Sequence, residues 1–183
     1  MGIEPAARES VILIPVPEAT PLLRQHRLQY DPSAPANVPE HITIHYPFLP
    51  PDTLDDALIA RLREFFRAIP PFSFTLTRTG WFEQGVLFLV PDPLAPFADA
   101  TRRLSDLFGI LPFEGRYWPE VNPHLTIAQH GPRDILAQIA ADVTTHLPIH
   151  ARAREAVLMV GHNETGWAVR DRFPFESAPR VEE

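Results

Sequence analysis

Two stretches of the chain, His41-Ile42-Thr43-Ile44 and His124-Leu125-Thr126-Ile127, repeat one pattern: histidine, apolar, threonine, apolar. Successive side chains of a β-strand point to opposite faces. Each stretch therefore offers one imidazole and one hydroxyl on one side and buries two aliphatic side chains on the other. Imidazole titrates near neutrality, so one neutral histidine can take a proton while a protonated one gives a proton. Cleavage of a phosphodiester needs both transfers, on opposite sides of phosphorus for in-line attack. The threonine hydroxyls can donate to non-bridging oxygens and stabilise developing charge. This scheme calls for no metal. Which histidine is acid and which is base stays open at this level. The blander reading is two core histidines beside strand-forming threonines. It accounts poorly for two copies with the same apolar flanks.

Both motifs sit on segments of strand character. Proline, 22 residues in all, punctuates the elements between them. Strands are expected over Ser10–Val16, His41–Tyr46, Phe72–Phe82, Gly85–Val90, Pro123–Gln129, Pro148–Val160 and Gly166–Phe173. Helices are expected over Glu18–Gln29, Thr53–Ile69, Leu94–Phe108 and Pro132–Leu147. Thr53 is the expected cap of the second helix, and Gly109 ends the third. Such mixing of helices with hairpins predicts α+β with antiparallel sheet. A strand with His-x-Thr, then a helix, then two strands occurs from His41 and again from His124, which suggests two related lobes. The chain of 183 residues reads as one domain made of those lobes, with a frayed tail over 176–183.

Composition removes several function classes. There is no cysteine, so thiolate chemistry and Cys-ligated metals are excluded. All 16 basic residues are arginine. Schiff bases, P-loops and nucleotidyl transfer through a lysine adduct are therefore excluded too. A net charge of −7 argues against gripping long duplex nucleic acid, but not against a local basic pocket. No apolar run is long enough to span a membrane and no signal-peptide pattern opens the chain, so a cytoplasmic protein is expected. No dinucleotide-binding glycine motif or serine nucleophile elbow is present, and no cofactor is expected.

The paired motifs, their separation and the flanking text HITIHYPFLPP and NPHLTIAQ resemble the 2H phosphoesterase superfamily, in its 2'-5' RNA ligase-like and cyclic phosphodiesterase branch. The resemblance runs from SVILIPVP to GWAVRDRFPF. It implies a bilobal, pseudo-symmetric pair of antiparallel sheets with flanking helices around a central cleft. It implies His41 and His124 as the acid–base pair, Thr43 and Thr126 as phosphate binders, and no metal. The expected activity is hydrolysis of a 2',3'-cyclic phosphate or a related small or terminal RNA phosphodiester, by a monomer. Two other readings are a reversible 2'-5' RNA end-joining enzyme and a non-catalytic module that binds nucleotides or RNA ends.

Further residues are candidate substrate contacts. By strict alternation His45 shares the face of His41 and Thr43, while Tyr46 falls on the core side. His41 and His45 would lie about 13 Å apart on a strand, too far to share one ion. Arg116 and Trp118, just before the second motif, offer a cation and a stacking platform, or ordinary packing. Arg152 shares a strand face with Arg154 and could draw in a phosphate, or simply face solvent. Trp81, Phe82 and Trp167 read as packing, and the remaining histidines as surface residues.

Overall fold

A computed structural model describes residues 8–176; all of the expected frayed tail except Glu176 lies outside the described residues. Twelve regular elements follow one another. They are β1 (Glu9–Pro15), α1 (Thr20–Tyr30), β2 (His41–His45), α2 (Asp56–Arg67), β3 (Phe72–Trp81) and β4 (Leu87–Asp92), then α3 (Ala95–Phe108), β5 (Leu125–Ala128), α4 (Arg133–Thr145), β6 (Ile149–Ala153), β7 (Glu155–His162) and β8 (Gly166–Pro174). The strands form two four-stranded sheets, ordered β2-β1-β7-β8 and β5-β4-β3-β6, with every neighbouring pair antiparallel. The protein is α+β, with each His-x-Thr strand at the edge of its own sheet.

The internal echo is present, but its halves are interleaved. The order strand, helix, strand, helix, strand runs β1–α1–β2–α2–β3 and again β4–α3–β5–α4–β6. Two strands cross between the halves: β3 joins the sheet of β4, and β7, which follows β6, joins the sheet of β1. The helices cross over as well. α1 packs against β5, where Gln129 N–H donates to Tyr30 O at 2.8 Å, and α3 packs against β2, where Thr101 Oγ1 donates to Ile44 O at 2.9 Å. Each exposed motif edge is thus covered by a helix from the other half, which protects it from stray pairing. The expected strand Pro148–Val160 is two strands for the same reason. It breaks at Arg154, because β6 pairs with β3 in one sheet and β7 with β1 in the other.

Local sequence explains the rest. β1 is apolar on both faces because Ile12 and Ile14 meet the helical core while Val11 and Leu13 meet Val157, Met159 and Trp167. In α2 the spacing of Ile59, Leu62, Phe65 and Phe66 makes one buried stripe. Its cap is Asp55, not Thr53: Asp55 Oδ1 accepts from Leu58 N–H at 2.8 Å, while Thr53 closes a preceding turn onto Pro50 O. Gly109 ends α3 at φ 66°, a left-handed conformation that suits glycine. No helix among the described residues is long and apolar enough to cross a membrane.

Candidate active site

The apolar members of both motifs go where the alternation predicts. Ile42, Ile44, Leu125 and Ile127 are buried, and His41, Thr43, His124 and Thr126 are half-buried on the other face. The two edge strands lie side by side, and His41 is close enough to His124 for a charge on one to disfavour a charge on the other.

Each ring is held in the same way. His41 Nδ1 lies 2.7 Å from Pro39 O, and His124 Nδ1 lies 2.7 Å from Asn122 O, the carbonyl two residues earlier in both cases. A carbonyl only accepts, so Nδ1 carries the hydrogen. In the neutral ring Nε2 is then the nitrogen free to take or pass a proton. Burial and, after it, the nearby Arg27 guanidinium lower the pKa of His41, and the Pro39 carbonyl and the Asp31 carboxylate oppose them, for a net value of about 4. His124 is also held below the usual histidine value by burial, against the pull of the Asn122 carbonyl.

The surroundings of the two rings differ. His124 sits against Phe82 and Phe88, with ring centroids 4.8 and 5.3 Å away. The Phe88 ring lies directly over Gly80, where a Cβ would meet its Cε2 at 2.6 Å. Beside His41 lies a buried charge network. Arg27 donates from Nε and Nη2 to Asp31 Oδ2 at 3.0 and 2.9 Å, from Nη2 to Ser33 Oγ at 3.1 Å, and from Nη1 to Val38 O at 3.4 Å. Its Nη1 also lies 3.4 Å from Glu40 Oε1, and Glu40 Oε2 accepts from Thr20 Oγ1 at 2.7 Å. The segment 31–40 is wrapped around one guanidinium and ends at the Pro39 carbonyl that grips His41. This network, and the ring pair beside His124, escape the sequence reading. The signal for the first is an arginine one turn after Leu23 on the buried face of α1, with Asp31 four residues on.

His45 does not reach the site. A bulge in the β1–β2 pairing sets Ile12 opposite His45 but Leu13 opposite Thr43, so one residue is skipped and the alternation flips. His45 turns to the core side and is fully buried, with Nδ1 2.9 Å from Pro47 O and its ring edge-on to Phe48. Tyr46, expected in the core, moves by the same flip to the face of Leu13 and Trp167. Phe113 N–H donates to Tyr46 O at 2.7 Å, which ties the loop carrying exposed Arg116 and half-buried Trp118 to the end of β2. Arg152 lies on β6, at the opposite edge of its sheet from His124. Trp81, expected as packing, is 42% exposed, whereas Trp167 is buried.

Two antiparallel sheets thus each bring one His-x-Thr edge strand to the same place, the arrangement of a two-histidine fold. A family model of the 2'-5' RNA ligase superfamily matches residues 15–165, and the chain belongs to that superfamily, the 2H phosphoesterases. Its fold is similar to the crystal structure of E. coli LigT in apo form, with TM-score 0.59 and 16% identity over 93% of this chain and 98% of that one. LigT complexed with 3'-AMP gives 0.54 at 16% identity, covering 93% and 99%. TT0787 of Thermus thermophilus gives 0.57 at 17% identity, covering 91% and 97%. No curated protein matches this chain in sequence.

Proposed function

We propose that this chain hydrolyses a 2',3'-cyclic phosphate, or a related small or terminal RNA phosphodiester, with His41 as base and His124 as acid. One observation carries the proposal: both rings are clamped at Nδ1 by the same backbone bond, on edge strands that lie side by side, leaving two Nε2 atoms for proton transfer. Pure binding has no need of two such groups. The structural neighbour LigT has been crystallised with 3'-AMP, which supports a nucleotide-sized ligand.

In the proposed step, water attacks phosphorus and His41 Nε2 takes its proton. The bond from phosphorus to one ribose oxygen breaks, and His124 Nε2–H protonates that oxygen. The product is a ribonucleotide monophosphate. Thr43 and Thr126 hold the non-bridging oxygens. The pKa of His41, lowered to about 4 by burial and then by the Arg27 guanidinium, keeps it neutral above that pH and suits it to the base role.

The assay is incubation with 2',3'-cyclic AMP and with a short RNA ending in a cyclic phosphate, in EDTA, from pH 3.5 to 9. The base must be neutral and the acid protonated, so kcat/KM rises as pH climbs through about 4, where His41 loses its proton. It falls again as His124 deprotonates, below the ordinary value of about 6.5. An acidic bell is the expected result. Activity that grows steadily above pH 7 would refute the roles assigned, and tight binding without turnover at any pH would refute hydrolysis.

Gly80 gives a second check. Gly80→Ala places a methyl where the Phe88 ring lies and drives that ring against His124. A displacement of about 1 Å at a catalytic group costs up to about 100-fold in rate. The expected loss is in kcat, with little change in melting temperature, and adding Phe88→Leu restores part of it.

A further inference from the structure

Strand pairing extends the face of Thr126 well beyond the histidines. On β4, half-buried Phe88, buried Val90 and exposed Asp92 alternate with Leu87, Leu89 and Pro91, which are all buried. Phe88 stands opposite Thr126, so this row of β4 faces the catalytic side. At the far end of the row Asp92 is paired with Thr75, Thr75 with His150, and Ser73 with Arg152. Residues directly opposite each other share a face, so Arg152 faces the same side as Thr126. From Phe88 to Asp92 is about 13 Å along the strand, and β6 lies two strand spacings of about 4.8 Å beyond. That span exceeds one nucleotide.

This end of the sheet is an open pocket of about 600 Å³. Its chemistry is divided. Arg152 and His150 can meet an anion, while Asp92 and Thr75 can bond a hydroxyl. Arg78 is exposed on β3 opposite Val90, midway between the pocket and the histidines. Glu18, the other acid in the pocket, is engaged: Oε1 lies 3.5 Å from Arg154 Nη1 and accepts from Arg152 N–H at 3.3 Å. Among the described residues the Arg78 and Arg152 guanidinium groups form no ion pair, in a chain whose net charge is −7.

We infer that this end of the sheet binds the phosphate and ribose of an upstream nucleotide, so the preferred substrate is a short RNA 3' end rather than a free cyclic mononucleotide. Arg152 and Arg78 take the phosphates. Asp92 accepts from a ribose hydroxyl, which a deoxyribose lacks. The inference rests on the function proposed above.

The test compares kcat/KM for 2',3'-cyclic AMP and for a tetranucleotide ending in a cyclic phosphate, at several salt concentrations. The expected result is a tetranucleotide preference of at least about ten-fold that weakens with salt. Arg152→Ala should lose about ten-fold on the tetranucleotide and nothing on cyclic AMP. It should also reduce the salt slope by about 0.7, the value of one single-strand phosphate contact. Equal kcat/KM for the two substrates, or an equal loss on both, overturns the subsite. If neither substrate turns over, the proposed function fails. Fluorescence anisotropy with a 5'-labelled tetranucleotide 3'-phosphate then decides the subsite alone. Weaker binding by Arg152→Ala and by an all-deoxy probe supports it, and unchanged affinity in both overturns it.

Discussion

His41→Ala and His124→Ala are each expected to lower turnover of a cyclic phosphate by about 10² to 10⁴, the usual contribution of a positioned proton-transfer group. Both should leave the fold in place. Each ring is half-buried and lies on the polar face of its strand, while the residues that anchor the strand, Ile42 with Ile44 and Leu125 with Ile127, are untouched. The two variants should differ in what else they change. Without His41 the rise of kcat/KM near pH 4 disappears, because the group that titrates there is gone. Without His124 the fall on the alkaline side disappears instead. The double variant should be scarcely worse than either single one, since groups that act as a unit do not add. Circular dichroism and a thermal melt confirm folding, and a pH series of kcat/KM reads the limbs. A well-folded single variant with wild-type turnover would end the two-histidine assignment.

Arg27→Met is the second large effect, and it acts first on stability. It leaves Asp31 and Glu40 buried, with side chains only 1% and 2% exposed, and without their cation. Removing one partner of a buried ion pair costs about 3 to 5 kcal/mol. For a domain of this size that corresponds to a fall in Tm of about 6 to 20 °C. The catalytic consequence has a definite sign. Arg27 pushes the pKa of His41 down and Asp31 pushes it up. Loss of Arg27 therefore moves the acid limb of kcat/KM upward from about 4, and Asp31→Asn moves it downward. A purely structural network would lower Tm in both variants and leave the limb where it was. Opposite shifts in the two variants distinguish the alternatives even if Arg27→Met proves hard to purify.

The placement of the candidate site's side chains was legible because its signal is local. A His-x-Thr pair on a strand needs only alternation to place imidazole and hydroxyl on one side and aliphatic anchors on the other, and both motifs obey it. Helix positions were legible for a similar reason: apolar spacing marked α2, and Gly109 marked the end of α3. His45 and Tyr46 were misplaced because alternation holds only while pairing stays in register. The bulge that flips both arises between β1 and β2, segments far enough apart in sequence that neither shows it alone. The break at Arg154 was hidden likewise, since nothing within IHARAREAVLMV tells which strand each half will join.

By itself, then, the sequence determined the two His-x-Thr motifs and which of their side chains share a face, the α+β class and the exclusion of lysine and cysteine chemistry. All of these depend on residue type and short-range period. The tertiary structure decided the rest. It interleaved the two halves, so that each motif edge is covered by a helix from the other half. It also gave the two histidines different neighbours: a buried guanidinium and two carboxylates beside His41, two phenylalanine rings beside His124. Desolvation and charge at a site are set by everything packed around it, and most of that comes from elsewhere in the chain. Two motifs with the same sequence pattern therefore acquire different surroundings, and the proposed division into base and acid rests on that asymmetry.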